Sequence, residues 1–204
     1  MRKIITTTFI TLDGVMQAPG GPEEDMTDDF ANGGWLANYW DDGIMGRTMD
    51  DFMNLPFELL LGRKTYDIFA SYWPHIKTDS TVARPFNSTR KYVVSHKPFE
   101  PSWTNSRCIT GDVVAEIKKL KEEDAPDLWV HGSGNLIQTL LQNHLIDRMY
   151  LWTFPVTVGK GKRLFAEGTQ AEGFKLIESK FSATGVIIAT YEPEGVLKTG
   201  LVQS

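Results

Sequence analysis

The stretch Leu59-Leu60-Leu61-Gly62-Arg63-Lys64-Thr65-Tyr66 constrains this chain most. Three consecutive leucines, with Phe57 shortly before them, are apolar on both faces. That suits an interior strand of a parallel sheet, covered by helices on both sides. Gly62 permits an abrupt turn, because it lacks the Cβ that crowds such a backbone. A helix is then expected to begin between Arg63 and Thr65, with Tyr66, Phe69 and Tyr72 along one flank. The first turn of a helix carries unpaired N–H groups and a partial positive charge. Arg63, Lys64 and the Thr65 hydroxyl add donors and charge there. The turn is therefore either a seat for a phosphate or an ordinary connection with basic residues in solvent.

The 204 residues fit one large domain, and 41% apolar content supplies a full core. A formal charge of −5 argues against nucleic acid or an anionic membrane as partner. It leaves room for one local basic pocket. Cys108 is the single cysteine, which excludes an intrachain disulfide and suits a reducing, cytoplasmic setting. The N-terminus lacks the apolar run of a signal peptide. No stretch approaches the roughly 18–20 apolar residues of a membrane span.

Lys3 to Leu12 reads as a first strand, ended by a turn at Asp13-Gly14. Gln17 to Gly34, with its acidic cluster and two Gly-Gly pairs, reads as a long exposed loop, either a lid or a solvated insertion. Trp35 to Met53 has helical spacing and suits one helix, or two broken at Gly43 or Gly46. Strands are expected at Arg90–Ser95, Asp127–His131 and Leu145–Phe154, and helices at Asp112–Glu122, with Asp112 as N-cap, and Asn135–Asn143. Asp147 and Arg148 are expected to form a surface charge pair, and Trp129 and Trp152 to fill core or subunit contacts. Phe174–Phe181 and Gly185–Tyr191 read as a closing antiparallel pair. Together these predict an α/β domain over residues 1–192 with a mainly parallel sheet and an antiparallel C-terminal edge. Residues 193–204 are expected to be a tail.

Gly62 to Thr65, Ser95 to Lys97 and Gly132 to Gly134 each follow an apolar strand. Ligands of open α/β sheets sit beyond such strand ends. Two helix N-termini and a basic strand end could hold a diphosphate and one further phosphate, as NADPH requires. His75, His96, His131 and His144 lack zinc-ligand spacing, so no metal is expected. Ser133 lacks the Gly-x-Ser-x-Gly frame of a hydrolase nucleophile.

With these pieces the chain resembles the dihydrofolate reductase-like superfamily. It is most similar to stand-alone relatives of the reductase domain of bacterial riboflavin biosynthesis, the RibD C-terminal domain. The resemblance rests on Thr11-Leu-Asp-Gly-Val15, Leu60-Leu-Gly-Arg-Lys-Thr-Tyr66, Lys91-Tyr-Val-Val-Ser95, Gly132-Ser-Gly-Asn-Leu136, Leu145-Ile-Asp-Arg148 and Pro155-Val-Thr-Val-Gly-Lys-Gly161, in family order. It implies a three-layer fold around a mostly parallel sheet of about eight strands. It implies NADPH, with Gly62, Arg63, Lys64 and Thr65 facing its phosphates. Ser95 and His96 would lie near the adenosine ribose and its 2′-phosphate, and Gly132, Ser133, Gly134, Asn135 and Leu136 around the diphosphate. Gly14, Val15 and Met16 would approach the nicotinamide, with Asp13 at the mouth of the substrate pocket as a candidate acid. A homodimer is implied as well. One departure is that no carboxylate falls at the family's pterin-binding position; Asp42, Asp50 and Asp51 are only nearby. An NADPH-dependent reductase of a small heterocycle is thus expected, with a non-catalytic nucleotide-binding or sensor protein on the same fold as the alternative.

Overall fold

Leu59, Leu60 and Leu61 are all fully buried, as an interior strand requires. In a computed structural model of the chain, which describes residues 1–76 and 80–202, they belong to β2 (Phe57–Gly62). The other strands are β1 (Ile4–Thr11), β3 (Lys91–Val94), β4 (Ser106–Ile109), β5 (Asp127–His131), β6 (Arg148–Phe154), β7 (Glu172–Phe181) and β8 (Ile187–Val196). They form one eight-stranded sheet in the order β4-β3-β2-β5-β1-β6-β8-β7. Strands β1 to β6 run parallel, while β8 is antiparallel to β6 and β7 to β8. The expected antiparallel C-terminal edge is present.

The helices α1 (Ile44–Asn54), α2 (Arg63–Tyr72), α3 (Ala83–Ser88), α4 (Val113–Glu122) and α5 (Gly134–Gln142) complete three layers. Alternation along the strands divides the core between two faces. Leu60, Leu128 and Val130 meet Ile117 and Leu120 of α4 and Ile137 and Leu140 of α5. Leu59, Leu61, Trp129 and Trp152 meet Met45 and Phe52 of α1, Tyr66 of α2 and Phe86 of α3. Both tryptophans are core residues. Asp112 caps α4, its carboxylate accepting the Ala115 N–H at 3.0 Å.

Several expectations are corrected. The helical stretch breaks at Gly43, the N-cap of α1, and only a 3-10 turn at Ala37–Tyr39 precedes it. Strand β4 had no counterpart in the sequence reading. Strand β8 runs to Val196, past the point where a tail was expected. Asp147 and Arg148 do not pair with each other. Asp147 accepts the Ile4 N–H at 2.7 Å and binds the Lys121 ammonium, while Arg148 pairs with Glu192 at 2.5 Å. The segment from Gln17 to Gly34 is not simply exposed, because Gln17, Ala18, Asp25 and Phe30 are buried. Gln17 ties it down, its side-chain amide donating to the carbonyls of Asp25 (3.1 Å) and Thr27 (2.9 Å).

Candidate functional site

Strands β3, β2, β5 and β1 lie side by side. The turns that follow them therefore open on one edge of the sheet, where parallel α/β sheets bind ligands. The turns are in contact. The Ser133 hydroxyl accepts the Gly62 N–H at 2.9 Å, which ties the start of α2 to the start of α5. A Cβ on Gly132 would lie 3.8 Å from the Thr65 hydroxyl, and one on Gly134 would lie 3.0 Å from the Met16 sulfur. Gly62 pairs with Val94, so Ser95 and His96 emerge beside Arg63. The structure thus brings together Gly62 to Thr65, Ser95 and His96, Gly132 to Leu136, and Met16; Gly14, two residues earlier, has Arg163 as its neighbour.

Neither α2 nor α5 has a side-chain cap. In α5 the Ile137 N–H reaches back to the Ser133 carbonyl at 2.9 Å. The N–H groups of Gly134, Asn135 and Leu136 come before that bond and serve as donors at the helix start. Gly132 (φ +57°) and Ser133 (φ +64°) are both left-handed, which swings the chain from strand to helix in two residues. Glycine tolerates that conformation without strain.

Individual side chains differ from expectation in what they do. Arg63 is oriented by Asp67, 2.9 Å away, and stacks 3.7 Å above the Phe99 ring, half exposed. The Ser95 hydroxyl donates to the Lys97 carbonyl at 2.8 Å; it shapes its own turn and leaves His96 exposed. The Leu136 side chain is core, so only its backbone faces the edge. Val15 is fully buried with Ala18 and Phe30, and both its N–H and C=O are used by Thr11. Asp13 accepts from the Thr11 hydroxyl (2.5 Å) and from the N–H groups of Gly159 (2.7 Å) and Val158 (3.3 Å). These bonds, the Thr11 hydroxyl first, hold its carboxyl below the usual carboxylate range.

Lys64 is engaged by a group that sequence reasoning missed. Its ammonium binds the Asp25 carboxylate at 2.6 Å and the Thr27 hydroxyl at 2.7 Å. Lys162 reaches the same carboxylate at 2.9 Å and the same hydroxyl. Burial alone would raise the Asp25 pKa; the two ammoniums and Thr27 more than reverse this and hold it well below the carboxylate range.

A second group of polar atoms lies on the α1–α2 face. Thr7 pairs with His131 on one side and Tyr150 on the other. Phe9, two residues on, pairs with Trp152. The Thr7 hydroxyl, His131 Nε2 and Trp152 Nε1 are buried with no partner among the described residues. Burial pushes the His131 imidazole down to about 3, so it is neutral at physiological pH. Such orphaned groups suit a polar ligand, because leaving them unmatched is costly. Asp42, Asp50 and Asp51 are all exposed. A half-buried carboxylate on this side is Asp41, which accepts the Met45 N–H at 3.4 Å and whose Oδ2 is buried without a partner among the described residues.

An open cleft of about 630 Å³ lies elsewhere, at the N-terminal ends of β2, β3 and β4, beside Glu58, Arg90, Tyr92 and Arg107. Its rim is crossed by ion pairs such as Arg90–Glu58 and Arg107–Glu116, and it lacks the uncapped helix starts of the opposite edge. Among the described residues no three His, Cys, Asp or Glu side chains gather as a metal site. Nor, among the described residues, is any helix long and apolar enough to cross a membrane.

The sequence profile of the RibD C-terminal domain matches residues 2–188. Uncharacterized protein YyaP of Bacillus subtilis is 29% identical over 197 residues, covering 95% of this chain and 96% of its own. A Shewanella sp. PV-4 protein named for riboflavin biosynthesis superposes with a TM-score of 0.72 at 23% identity, over 94% of this chain and 99% of that one. Dihydrofolate reductase of Enterococcus faecalis, solved with NADP(H) and RAB-propyl, superposes with a TM-score of 0.61 at 13% identity, over 94% and 96%. At these identities the two structures show a shared fold.

Proposed function

Because the chain belongs to the RibD C-terminal domain family, we propose that it is an NADPH-dependent reductase of a small heterocycle. The substrate class is pterin-, pyrimidine- or flavin-precursor-like, with 5-amino-6-(5-phosphoribosylamino)uracil as the type compound by family resemblance. One observation carries the proposal: two uncapped helix starts, those of α2 and α5, meet at one sheet edge and are tied by the Ser133–Gly62 hydrogen bond.

The residues present fit the cofactor. The N–H groups at the two helix starts would bind its diphosphate. Arg63, held by Asp67 and Phe99, and the exposed His96 would meet the adenosine end and its extra phosphate. Gly14 and Met16 would border the nicotinamide. Bound NADPH would supply a hydride to a C=N or C=O bond. The chain's own part is alignment and exclusion of water. The orphaned Thr7, His131 and Trp152 atoms would orient the substrate's ring heteroatoms. The exposure of Asp42, Asp50 and Asp51 supports a substrate other than folate. Asp13 is poorly suited as the acid, since its hydrogen bonds keep it ionised; it anchors the Gly14 turn to residues 158–159, and the proton reaches the substrate from water.

Titration of NADPH by fluorescence tests this. Saturable binding is expected, about five- to tenfold weaker in Arg63→Ala, with NADH less affected than NADPH. Absence of saturable NADPH binding overturns the proposal. Binding without NADPH oxidation across pterins, flavin precursors and quinones would indicate a nucleotide sensor on the same fold.

We also propose a homodimer. Strand β7 ends the sheet, so its outer edge is unpaired among the described residues. Leu176, Phe181 and Ile187 are exposed along this hairpin. Antiparallel self-pairing about Ser179 would set Glu178 against Lys180 and Ile177 against Phe181. Light scattering is expected to report twice the chain mass, and Phe181→Glu to give the monomer. A monomeric wild-type protein contradicts this.

A further inference from the structure

We propose that Lys64 and Lys162 form an anion seat for a phosphate group of the ligand, which the chain's own Asp25 fills when no ligand is bound. This deepens the proposed function, because Lys64 stands in the first turn of α2. The two ammoniums share two acceptors, the Asp25 carboxylate and the Thr27 hydroxyl. Like charges held this close repel strongly unless an anion lies between them. The Asp25 side chain, only 8% exposed, is that anion.

The next carboxylate, Asp28, lies 3.7 Å from Lys162 but is 74% exposed, too solvated to match the second positive charge fully. A phosphate group carries up to two charges and three strong acceptor oxygens, and so satisfies both ammoniums. The lysine side chains remain 48% and 42% exposed, which gives a ligand access from solvent. The position is also right. The Lys162 carbonyl accepts the Met16 N–H at 2.8 Å, and Met16 lies against Gly134 at the start of α5. The seat therefore borders both uncapped helix starts.

The surrounding loop is built for exchange of the carboxylate alone. Gln17 holds the backbone carbonyls of Asp25 and Thr27, and its own side-chain oxygen accepts the Lys162 N–H at 3.0 Å. Those bonds do not involve the Asp25 side chain. Within the loop the carboxylate accepts the Thr27 N–H at 3.1 Å and the Thr27 hydroxyl at 2.6 Å; swinging out gives up those two bonds while the Gln17 bonds keep the backbone in place. The phosphate could belong to the cofactor's diphosphate or to a phosphorylated substrate; the chemistry of the seat is the same.

Calorimetric titration at fixed low ionic strength, with inorganic pyrophosphate, NADPH and ribose 5-phosphate as probes, tests the proposal. Asp25→Asn removes the competing charge and is expected to tighten pyrophosphate binding about tenfold. Lys162→Met is expected to weaken it about five- to tenfold, with recovery in Lys162→Arg. If NADPH follows the same pattern, the seat serves the cofactor; if only ribose 5-phosphate does, it serves the substrate. Should Asp25→Asn loosen the loop, as a lowered melting temperature would reveal, the half-exposed Lys162 variants read the seat independently. Pyrophosphate binding indifferent to all three substitutions overturns the seat. A pyrophosphate response without NADPH binding keeps the seat and removes the proposed cofactor. NADPH binding retained while neither pyrophosphate nor ribose 5-phosphate responds to the substitutions keeps the cofactor and removes the seat.

Discussion

NADPH affinity is expected to fall by more than about tenfold when Gly132 is replaced by valine. The reason is local. Gly132 holds φ +57° and the next residue is also left-handed, a conformation that costs an ordinary L-residue about 1–2 kcal/mol and a β-branched one more. The chain can relieve that strain only by reopening the turn that presents the α5 N–H groups. The new side chain would also enter the gap to Thr65, where a Cβ already comes within 3.8 Å of the hydroxyl. Gly168→Val is the matched control. Gly168 has φ +85° with no described residue within 4 Å of an added Cβ, so it carries comparable backbone strain away from the site. Fluorescence titration should find NADPH binding retained in Gly168→Val and lost in Gly132→Val. Equal binding by both variants would mean that the Gly132 turn does not touch the cofactor.

The second large effect is on acid stability. Burial pushes His131 down to about 3, against about 6.5 in an unfolded chain. The sign follows from proton counting. Between these values the unfolded chain binds a proton that the folded chain does not, so stability falls as pH falls through that window. The slope approaches about 1.4 kcal/mol per pH unit below pH 6, which amounts to about 2 kcal/mol between pH 6.5 and 4.5. His131→Leu removes both this titration and the orphaned Nε2. Urea unfolding at the two pH values should show the wild type losing that much more stability than the variant. Parallel losses would place the acid sensitivity elsewhere.

Local pattern carried far in this chain. The three leucines of β2, the Asp112 cap and the Gly62 turn could be read from neighbours in sequence, because each is decided within a few residues. Strand β4 could not. Ser106-Arg-Cys-Ile109 is short and mostly polar, and it becomes a strand only because β3 offers a free edge to pair with. Pro193 suggested the end of order, yet it lies in β8 opposite Phe174, at a register shift. Such irregularities are where a strand tolerates proline.

The site divides in the same way. The turns were legible because glycines and strand ends mark them. Asp25 and Lys162 were not, since they are far apart in sequence and meet only after β6 has been laid beside β1. A signal for His131 was available. It stands two residues after Trp129, so strand alternation puts both on one face. With Trp129 assigned to the core, His131 had to be buried as well.

The most direct test of the proposed grip is a crystal structure of the protein with NADPH. One cofactor is expected to run along the C-terminal edge of the sheet, its diphosphate against Thr65 and Gly132 to Leu136 and its adenosine end beside Arg63 and His96. Density in the Arg90–Arg107 cleft instead, or a cofactor that leaves the starts of α2 and α5 untouched, would contradict it.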